Sequence, residues 1–476
     1  MKRRDFFLAS GAAALAPLGM RAAELTADGV LVPARKVPVL AEAEVVVCGG
    51  GTAGIAAACC AAKHGAKVLL LERWPSLGGM ATNALVNIWH TSDRRKQVIF
   101  GFVQEAIERA GGFMQRYPDF PRRYETHKFD PEGMRVVFWQ LLRERGVRVL
   151  CNVTAVESVV EGGQVCAVLV DTKTGRKAVR GKIFIDATGD GDVAANAGLP
   201  FDFGRVGDGR VQGMTMMFEL RGADQAVARA TPREQVARVL ALMQEQRDAG
   251  KFPPFNEGHA ASYLRSGATG LYNMCPAAGN PLNEEELTQL SEEARGHVYQ
   301  YRDLWRRELP AFAKAEIVQM GHGLGIRESR RIRGLKMLDG QMVIKAAKQP
   351  DAIGHGFWMI DIHDPKGTGY TTHSDHKPGQ WLEPGQSYHL PLGICLNAQL
   401  ANLAVVGRCA STTHEGCASV RLQSHGMVMG QGVGTCAALA LRSGTQMSLV
   451  DIKKLQATLR SDGVYLEDVP AAALAT

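Results

Sequence analysis

Cysteine is present but unorganised. The 476 residues hold ten cysteines, no two in a CxxC, and Cys48, Cys59 and Cys60 sit in apolar stretches where they pack as small hydrophobes. This excludes a disulfide framework and a zinc or iron–sulfur site, and the lack of CxxCH excludes an attached haem. Aromatic residues are sparse at 7%, and the net charge of +7 is spread along the chain with no Lys/Arg block beside stacking aromatics. A nucleic-acid partner is therefore excluded. Past the N-terminus no run is long and apolar enough for a membrane helix, so an integral membrane protein is not expected. Repeats and low-complexity tracts are absent as well.

The N-terminus, "MKRRDFFLASGAAALAPLGMRAA", reads as an export signal over residues 1–23. Arg3 and Arg4 precede Phe6 and Phe7, and a short apolar segment of small residues follows. The paired arginines resemble a twin-arginine signal, which implies the twin-arginine export machinery as a partner and a periplasmic or exported location. Lys2 stands where that pattern commonly has Ser or Thr, and the small-residue cleavage site around Ala22 and Ala23 is poorly formed.

The strongest local signal is "VVVCGGGTAGIAAACCAAKHGAKVLLLER", Val45 to Arg73. A β-branched run predicts a buried parallel strand. Gly49, Gly51 and Gly54 give GxGxxG: one glycine for the tight turn, one for close approach to a pyrophosphate, one for packing of helix on strand. A nearly all-small helix over residues 53–64 is ended by Gly65. A second strand closes on Glu72, placed to grip ribose hydroxyls. Strand, turn, helix, strand and acid in this order predict a site for an adenine dinucleotide. Thr52 and Ala53 stand in the same turn, and Arg73 follows the acid.

Beyond it, Gly78-Gly79 and Met80 offer backbone that passes close to a flat or anionic group. The spacing of Met134, Val137, Phe138, Leu141 and Leu142 predicts an amphipathic helix from Pro131 to Arg145. Residues 154–185 read as a β meander running into the turn Thr188-Gly189-Asp190. Near the C-terminus "NLAVVGR" is again an apolar strand, followed by "GMVMGQGVGTCAALAL", a buried helix expected to open on its glycines. The length exceeds what one core serves. The expected class is α/β, a Rossmann-like domain (parallel sheet plus β meander) with an inserted α+β substrate domain. The expected divisions are 41–201 for the first part, with a helical insertion about 90–128, then 202–397 for the substrate domain. The nucleotide-binding domain returns over 398–447, and 448–476 form a C-terminal helix and tail.

Four segments together, "VVVCGGGTAGIAAACCAAKHGAKVLLLER…LGGMAT", "IFIDATGDGDVAANAG", "GIRESRRIRG" and "NLAVVGRCASTTHEGCASVR…GQGVGTCAALA", resemble bacterial FAD-dependent oxidoreductases of the glutathione-reductase-like flavoprotein class. The likeness runs from about Glu44 to the C-terminal helix. It implies an enzyme with FAD as cofactor, a small-molecule substrate and an electron acceptor that the sequence does not identify. It further implies that Gly49, Gly51 and Gly54 seat the pyrophosphate, Glu72 the ribose, and Gly78, Gly79 and Met80 the ribityl chain and flavin. Thr188, Gly189 and Asp190 would pass the adenosine side. Gly430, Gln431 and Gly432 would aim N–H groups at the flavin edge that becomes negative on reduction. The wider class often has Gly-Asp after the last strand; here it is Gly407-Arg408, and Arg408 would serve the phosphates.

The expected chemistry is oxidation of a C–OH group on a sugar, polyol or similar molecule, with a neutral histidine as base. His414, in the segment joining strand to helix, is the first candidate and His389 in "YHLPLG" the second; His425 lies just before the last helix. Any lone histidine is as readily a packed one. Arg327, with Glu328 in "GIRESRRIRG", would suit an oxyanion or serve as proton donor in the rival reaction, reduction of an activated C=C bond. A flavin electron-relay protein is a further alternative. Arg421 is similar to Arg327. The segment with His363, His373 and His376 fits no metal site and reads as a solvated loop. His90 follows the Gly-Gly segment, where some related flavoproteins tether FAD. The carbohydrate expectation rests on Trp358, Tyr370, Trp381 and Tyr388.

Overall fold

Val45, Val46 and Val47 have no accessible surface, because the strand Val39–Cys48 runs through the middle of a seven-stranded sheet. The computed structural model describes residues 24–26, 29–32, 34–111, 114–116, 126–268, 270–366 and 382–469. The export-type segment, Tyr370, His373, His376 and Trp381 lie outside them. Residues Met1–Pro38 form one unit, whose described part is a hairpin of Glu24–Thr26 with Gly29–Leu31. The second unit is Val39–Thr476.

In that second unit Arg148–Cys151, Val68–Glu72, Val39–Cys48 and Gly175–Asp186 lie side by side in parallel. Val47 stands opposite Leu70 on one side and Ile185 on the other. The far half of Gly175–Asp186 takes Leu403–Val405 in parallel, and its near half takes Gln164–Thr172 and then Thr154–Glu161 as an antiparallel meander. The chain thus returns to its first sheet after some two hundred residues, as the apolar strand before Gly407 predicts. Parallel strands covered on both faces read as continuous apolar runs, which is why "VLLLE" shows no alternation.

A separate core takes residues between Met214 and Leu324. Its sheet joins Met214–Arg221 to Gly270–Ala277 and Glu316–Met320, all antiparallel. The helices Arg233–Asp248, Glu257–Ser266 and Glu284–Glu308 complete this region, with Phe218, Tyr272, Tyr301 and Trp305 fully buried among them. The last of these helices starts on an Asn283 cap and three glutamates and ends on Arg306 and Arg307, matching its dipole. The inserted core is narrower than the 202–397 span expected. Leu338, Ile353, Tyr388 and Leu396 belong to the nucleotide-domain core instead. The hairpin Ala352–Gly356 with Tyr388–Pro391 brings them there, because Ile353 and Gly354 pack on Gly432 and Val428 of the last long helix.

That helix runs Gln423–Ser443, longer than expected. Gly430, Gln431 and Gly432 therefore do not open it; they lie two turns in. Their work is packing. A Cβ at Gly430 would overlap the Ala53 carbonyl oxygen and one at Gly434 that of Ala57, both in the helix Thr52–Lys63. Gln431 Oε1 instead accepts the Phe102 N–H at 2.9 Å. Gly434→Ala is expected to cost about 1–3 kcal/mol, the penalty of overpacking, although alanine is the better helix former. Gly296→Ala, in the helix Glu284–Glu308 with open space around it, is expected to gain about 0.5–1 kcal/mol. Thermal melts of the two variants check this; shifts of the same sign would refute the packing argument.

Candidate active site

Two helix N-termini converge on one cavity. The first belongs to Thr52–Lys63, preceded by the glycine turn; Gly49 has φ +112°, and a Cβ there would run into the Ala187 backbone. The second belongs to Gln423–Ser443, whose Leu422, Gln423 and Gly426 line the same cavity. A Cβ at Gly426 would touch Ala53 and Gly407 at 3.5 and 3.7 Å, so the two N-termini are near neighbours. Free N–H groups and helix dipoles make such ends favourable to anions.

The cavity measures about 530 Å³. At one end lie Gly49, Gly51, Thr52, Ala53, Glu72, Arg73, Gly79, Met80, Thr188, Gly189 and Arg408, all from the expected cofactor set. Glu72 is buried; Oε2 accepts the Gly50 N–H at 2.6 Å and Oε1 the Trp74 N–H at 2.8 Å. Burial pushes its carboxyl above the ordinary value despite those bonds. Gly78 bridges to Gly51, and a Cβ at Gly79 would come within 2.9 Å of the Gly51 Cα, so the Gly-Gly pair closes one edge of the turn. Asp190 stands behind the wall. Its Oδ1 accepts from Arg408 Nη2 at 2.8 Å and from Ser329 at 2.8 Å. Arg408 thus ties the Thr188–Asp190 turn to the last strand. Burial opposes the Asp190 charge, but Arg408 holds its carboxyl below the ordinary range.

The other end is built from three places. The inserted sheet supplies Thr215 and Asn273, which hold Arg327: Nη1 donates to Thr215 Oγ1 at 2.7 Å and to Gly213 O at 2.8 Å, and Nη2 to Asn273 Oδ1 at 3.3 Å. The segment after Phe357 supplies Trp358, Asp361 and His363. The turn before the last helix supplies Arg421, whose Nη2 donates to the Asp361 carbonyl at 2.9 Å and to Oδ2 at 3.3 Å. His363 Nε2 lies 3.7 Å from that same Oδ2. Burial opposes the Asp361 charge, but His363, Arg421 and Arg327 hold the carboxyl well below the ordinary range. Burial, then Arg327, push His363 well below 6.5, so its imidazole is neutral at pH 7. His90 stacks on Trp358 with ring centroids 4.5 Å apart, and burial lowers it to about 3.

Two expected catalytic histidines are elsewhere. His414 is buried but off the cavity wall; Nδ1 meets Glu328 Oε2 at 2.8 Å. Glu328 has no accessible surface, pairs with Arg331 and accepts the Gln212 N–H at 3.0 Å. Within the "GIRESRRIRG" motif Glu328, Ser329 and Arg331 are therefore a buried internal clasp, while Gly325, Ile326 and Arg327 line the cavity and Arg333 is exposed. His389 accepts the Gln349 N–H at Nδ1, which leaves Nε2 to donate to Asp468 at 3.0 Å. His355 and Lys348 share Asp468, making this the one cluster among the described residues with metal-ligand spacing. The Lys348 ammonium on the same carboxylate makes it an ionic knot. His425 is also buried, between Ser419 O and the Phe357 N–H.

Conversely, the expected solvated loop puts His363 on the cavity wall. The signal was there: in "WMIDIH" Asp361 and His363 are two apart in an apolar context, hence on one side of an extended chain.

A family model described as "FAD dependent oxidoreductase" matches residues 44–459. The chain belongs to that family. No curated protein matches it. Among solved structures, the chain is similar to THI4 of Thermovibrio ammonificans, at 21% identity over 34% of this chain and 66% of that one, with a TM-score of 0.27. It is similar to a geranylgeranyl bacteriochlorophyll reductase-like protein of Thermoplasma acidophilum, at 14% identity over 88% and 83% of the two chains, TM-score 0.42. A third is the p-nitrophenol 4-monooxygenase PnpA of Pseudomonas putida DLL-E4, at 12% identity over 91% of each chain, TM-score 0.42. No helix of the described residues is long and apolar enough to cross a membrane.

As an FAD-dependent oxidoreductase the chain has a cavity that suits its cofactor. A Cβ at Gly51 would meet nothing nearer than 3.9 Å, so that bare backbone opens onto the cavity instead of being filled. Glu72 retains acceptor capacity on both oxygens for ribose hydroxyls. Glu72→Ala is expected to weaken FAD binding about 10- to 100-fold, the worth of hydrogen bonds to a charged group. Fluorescence titration of apoprotein with FAD measures it, and unchanged affinity would remove Glu72 from the ribose site.

Proposed function

We propose that this FAD-dependent oxidoreductase is a dehydrogenase of a C–OH group on a small molecule, with His363 as the base. The observation that carries this is the pair of Asp361 with a neutral, buried His363 on the cavity wall. When bound, FAD supplies a two-electron acceptor for hydride. The balance is simple: the carbinol C–H leaves as hydride, the O–H proton passes to the His363 imidazole, and C=O remains. Asp361, held ionised, steadies the imidazolium that results. Trp358, Met217 and Met359 keep that end of the cavity poor in water. Of the aromatic residues behind the carbohydrate expectation, Trp358 lines the cavity, Tyr388 is bonded to Ser419 away from it, and Tyr370 and Trp381 lie outside the described residues.

His363→Gln is expected to lower kcat about 10²- to 10⁴-fold, the range for loss of a general base. His414→Gln, off the cavity, is expected to spare the chemistry. Because the base must be unprotonated and its pKa is lowered, kcat/KM should stay level from neutral pH down and fall only below pH 6.5. The measurement is anaerobic bleaching of the flavin spectrum by added alcohols, polyols and hydroxy acids. A rate indifferent to His363→Gln would sink the assignment.

We also place the chain in the glutathione-reductase-like class, on the order of its four motifs, and in the periplasm, on Arg3 and Arg4 ahead of a short apolar segment. Replacing both arginines by lysine is expected to retain the protein in the cytoplasm of a bacterial host. Equal periplasmic recovery of both forms would count against the twin-arginine route.

A further inference from the structure

The end of the cavity opposite the glycine turn is unbalanced in charge. Among the described residues, its lining ionisable groups are the guanidiniums of Arg327 and Arg421 and the carboxylate of Asp361, beside the imidazoles of His90, His259 and His363. His363, pushed down by burial and Arg327, adds no charge. The remaining acids on the wall, Glu72 and Asp192, stand at the nucleotide end, Glu72 on the Gly50 N–H and Asp192 on Arg330.

The arginines are also pre-oriented. Arg327 is steered by Thr215, Gly213 and Asn273, all neutral oxygen acceptors from the inserted sheet and its approach. Arg421 spends Nη2 on Asp361, while its Nε is buried without a hydrogen-bond partner, and its side chain is only 12% exposed. Both guanidiniums line the cavity, and a planar carboxylate is the acceptor that matches their fork. Asp361 lines the same end of the cavity, and its Oδ1 is buried without a hydrogen-bond partner.

We propose that Arg421 and Arg327 bind a carboxylate of the substrate, which makes the substrate class small hydroxy acids. This rests on the reading of that cavity end as the substrate site. The carboxylate neutralises the excess positive charge, and the hydroxyl on the neighbouring carbons is delivered between Asp361 and His363. The oxidation balances as before: hydride to the cofactor, proton to His363, keto acid as product. A redox dye or quinone-type acceptor then reoxidises the cofactor.

The test is equilibrium binding to the oxidised holoprotein, which needs no turnover. Malonate, succinate and their uncharged diamides are titrated by calorimetry and by perturbation of the flavin absorbance. The expected result is saturable binding of the carboxylates and no binding of the diamides. Arg421→Gln and Arg327→Gln should each weaken malonate at least tenfold. Arg421→Lys should recover part of the loss, and it also covers the case in which the glutamine variant fails to fold. Arg180→Gln, at an exposed salt bridge of the sheet, should change nothing.

Equal binding of the diamides, or malonate affinity unchanged in folded Arg421→Gln and Arg327→Gln, overturns the proposal. So does a shift in flavin midpoint potential in Arg421→Gln with malonate binding intact, because the guanidinium would then serve the cofactor. Malonate binding that obeys these expectations, with no bleaching by any hydroxy acid, upholds the carboxylate site and overturns the dehydrogenase reading together with hydroxy acids as its substrates.

Discussion

Everything at the cavity depends on how closely two helices can approach. Thr52–Lys63 and Gln423–Ser443 meet along alanines and glycines, with Gly430 and Gly434 one turn apart and seated on the Ala53 and Ala57 carbonyls. Backbone meets backbone, so neither helix can slide without a clash. This fixes both N-termini at one place, and from them the glycine turn and the Leu422–Gly426 turn face the same space. The far ends are fastened too: Arg442 donates to the His64 carbonyl, and Asp462 takes both Lys63 and His64. A chain whose first and last hundred residues must cooperate in one cavity needs a joint of this rigidity, and small residues supply it.

What could be read in the sequence was whatever local geometry enforces. The strand–turn–helix–strand of Val45–Glu72 needs its glycines and acid at fixed offsets, so the offsets reveal it. The meander announces itself by turns at Gly162-Gly163 and Thr174-Gly175, and the helix from Pro131 by its periodicity, whereas periodicity in the inserted region is poorer. The start of the last helix is hidden because its glycines look like those of a first turn. They are there for packing, and only the partner helix makes that visible. His414 and His389 were favoured for their neighbours along the chain. Their actual partners, Glu328 and Asp468, are more than seventy residues away in sequence. His363 was passed over for the opposite reason: its loop-like surroundings hide that the inserted sheet and the last helix's approach close around it.

The buried charges divide by task. Glu328, with Arg331, His414 and the Gln212 N–H, has every partner inside the protein, and Arg331 spends its other donors on the Thr412 and Gly204 carbonyls. Such a satisfied group locks one strand crossing to another and offers nothing to a ligand. Arg408, Asp190 and Ser329 likewise tie the Thr188–Asp190 turn to the last strand, with Arg408 also on the cavity wall. Around Asp361 the accounting is incomplete: one carboxylate oxygen and one guanidinium N–H are buried and unbonded.

Asp361 Oδ2 is shared, 3.3 Å from Arg421 and 3.7 Å from His363. A carboxylate divided between a permanent cation and a titratable one holds each less firmly than it would alone. An anion arriving on Arg421 satisfies the guanidinium and releases part of Asp361, whose charge then falls more fully on His363. The proposed anion-binding arginine and the proposed base thus meet on one oxygen atom.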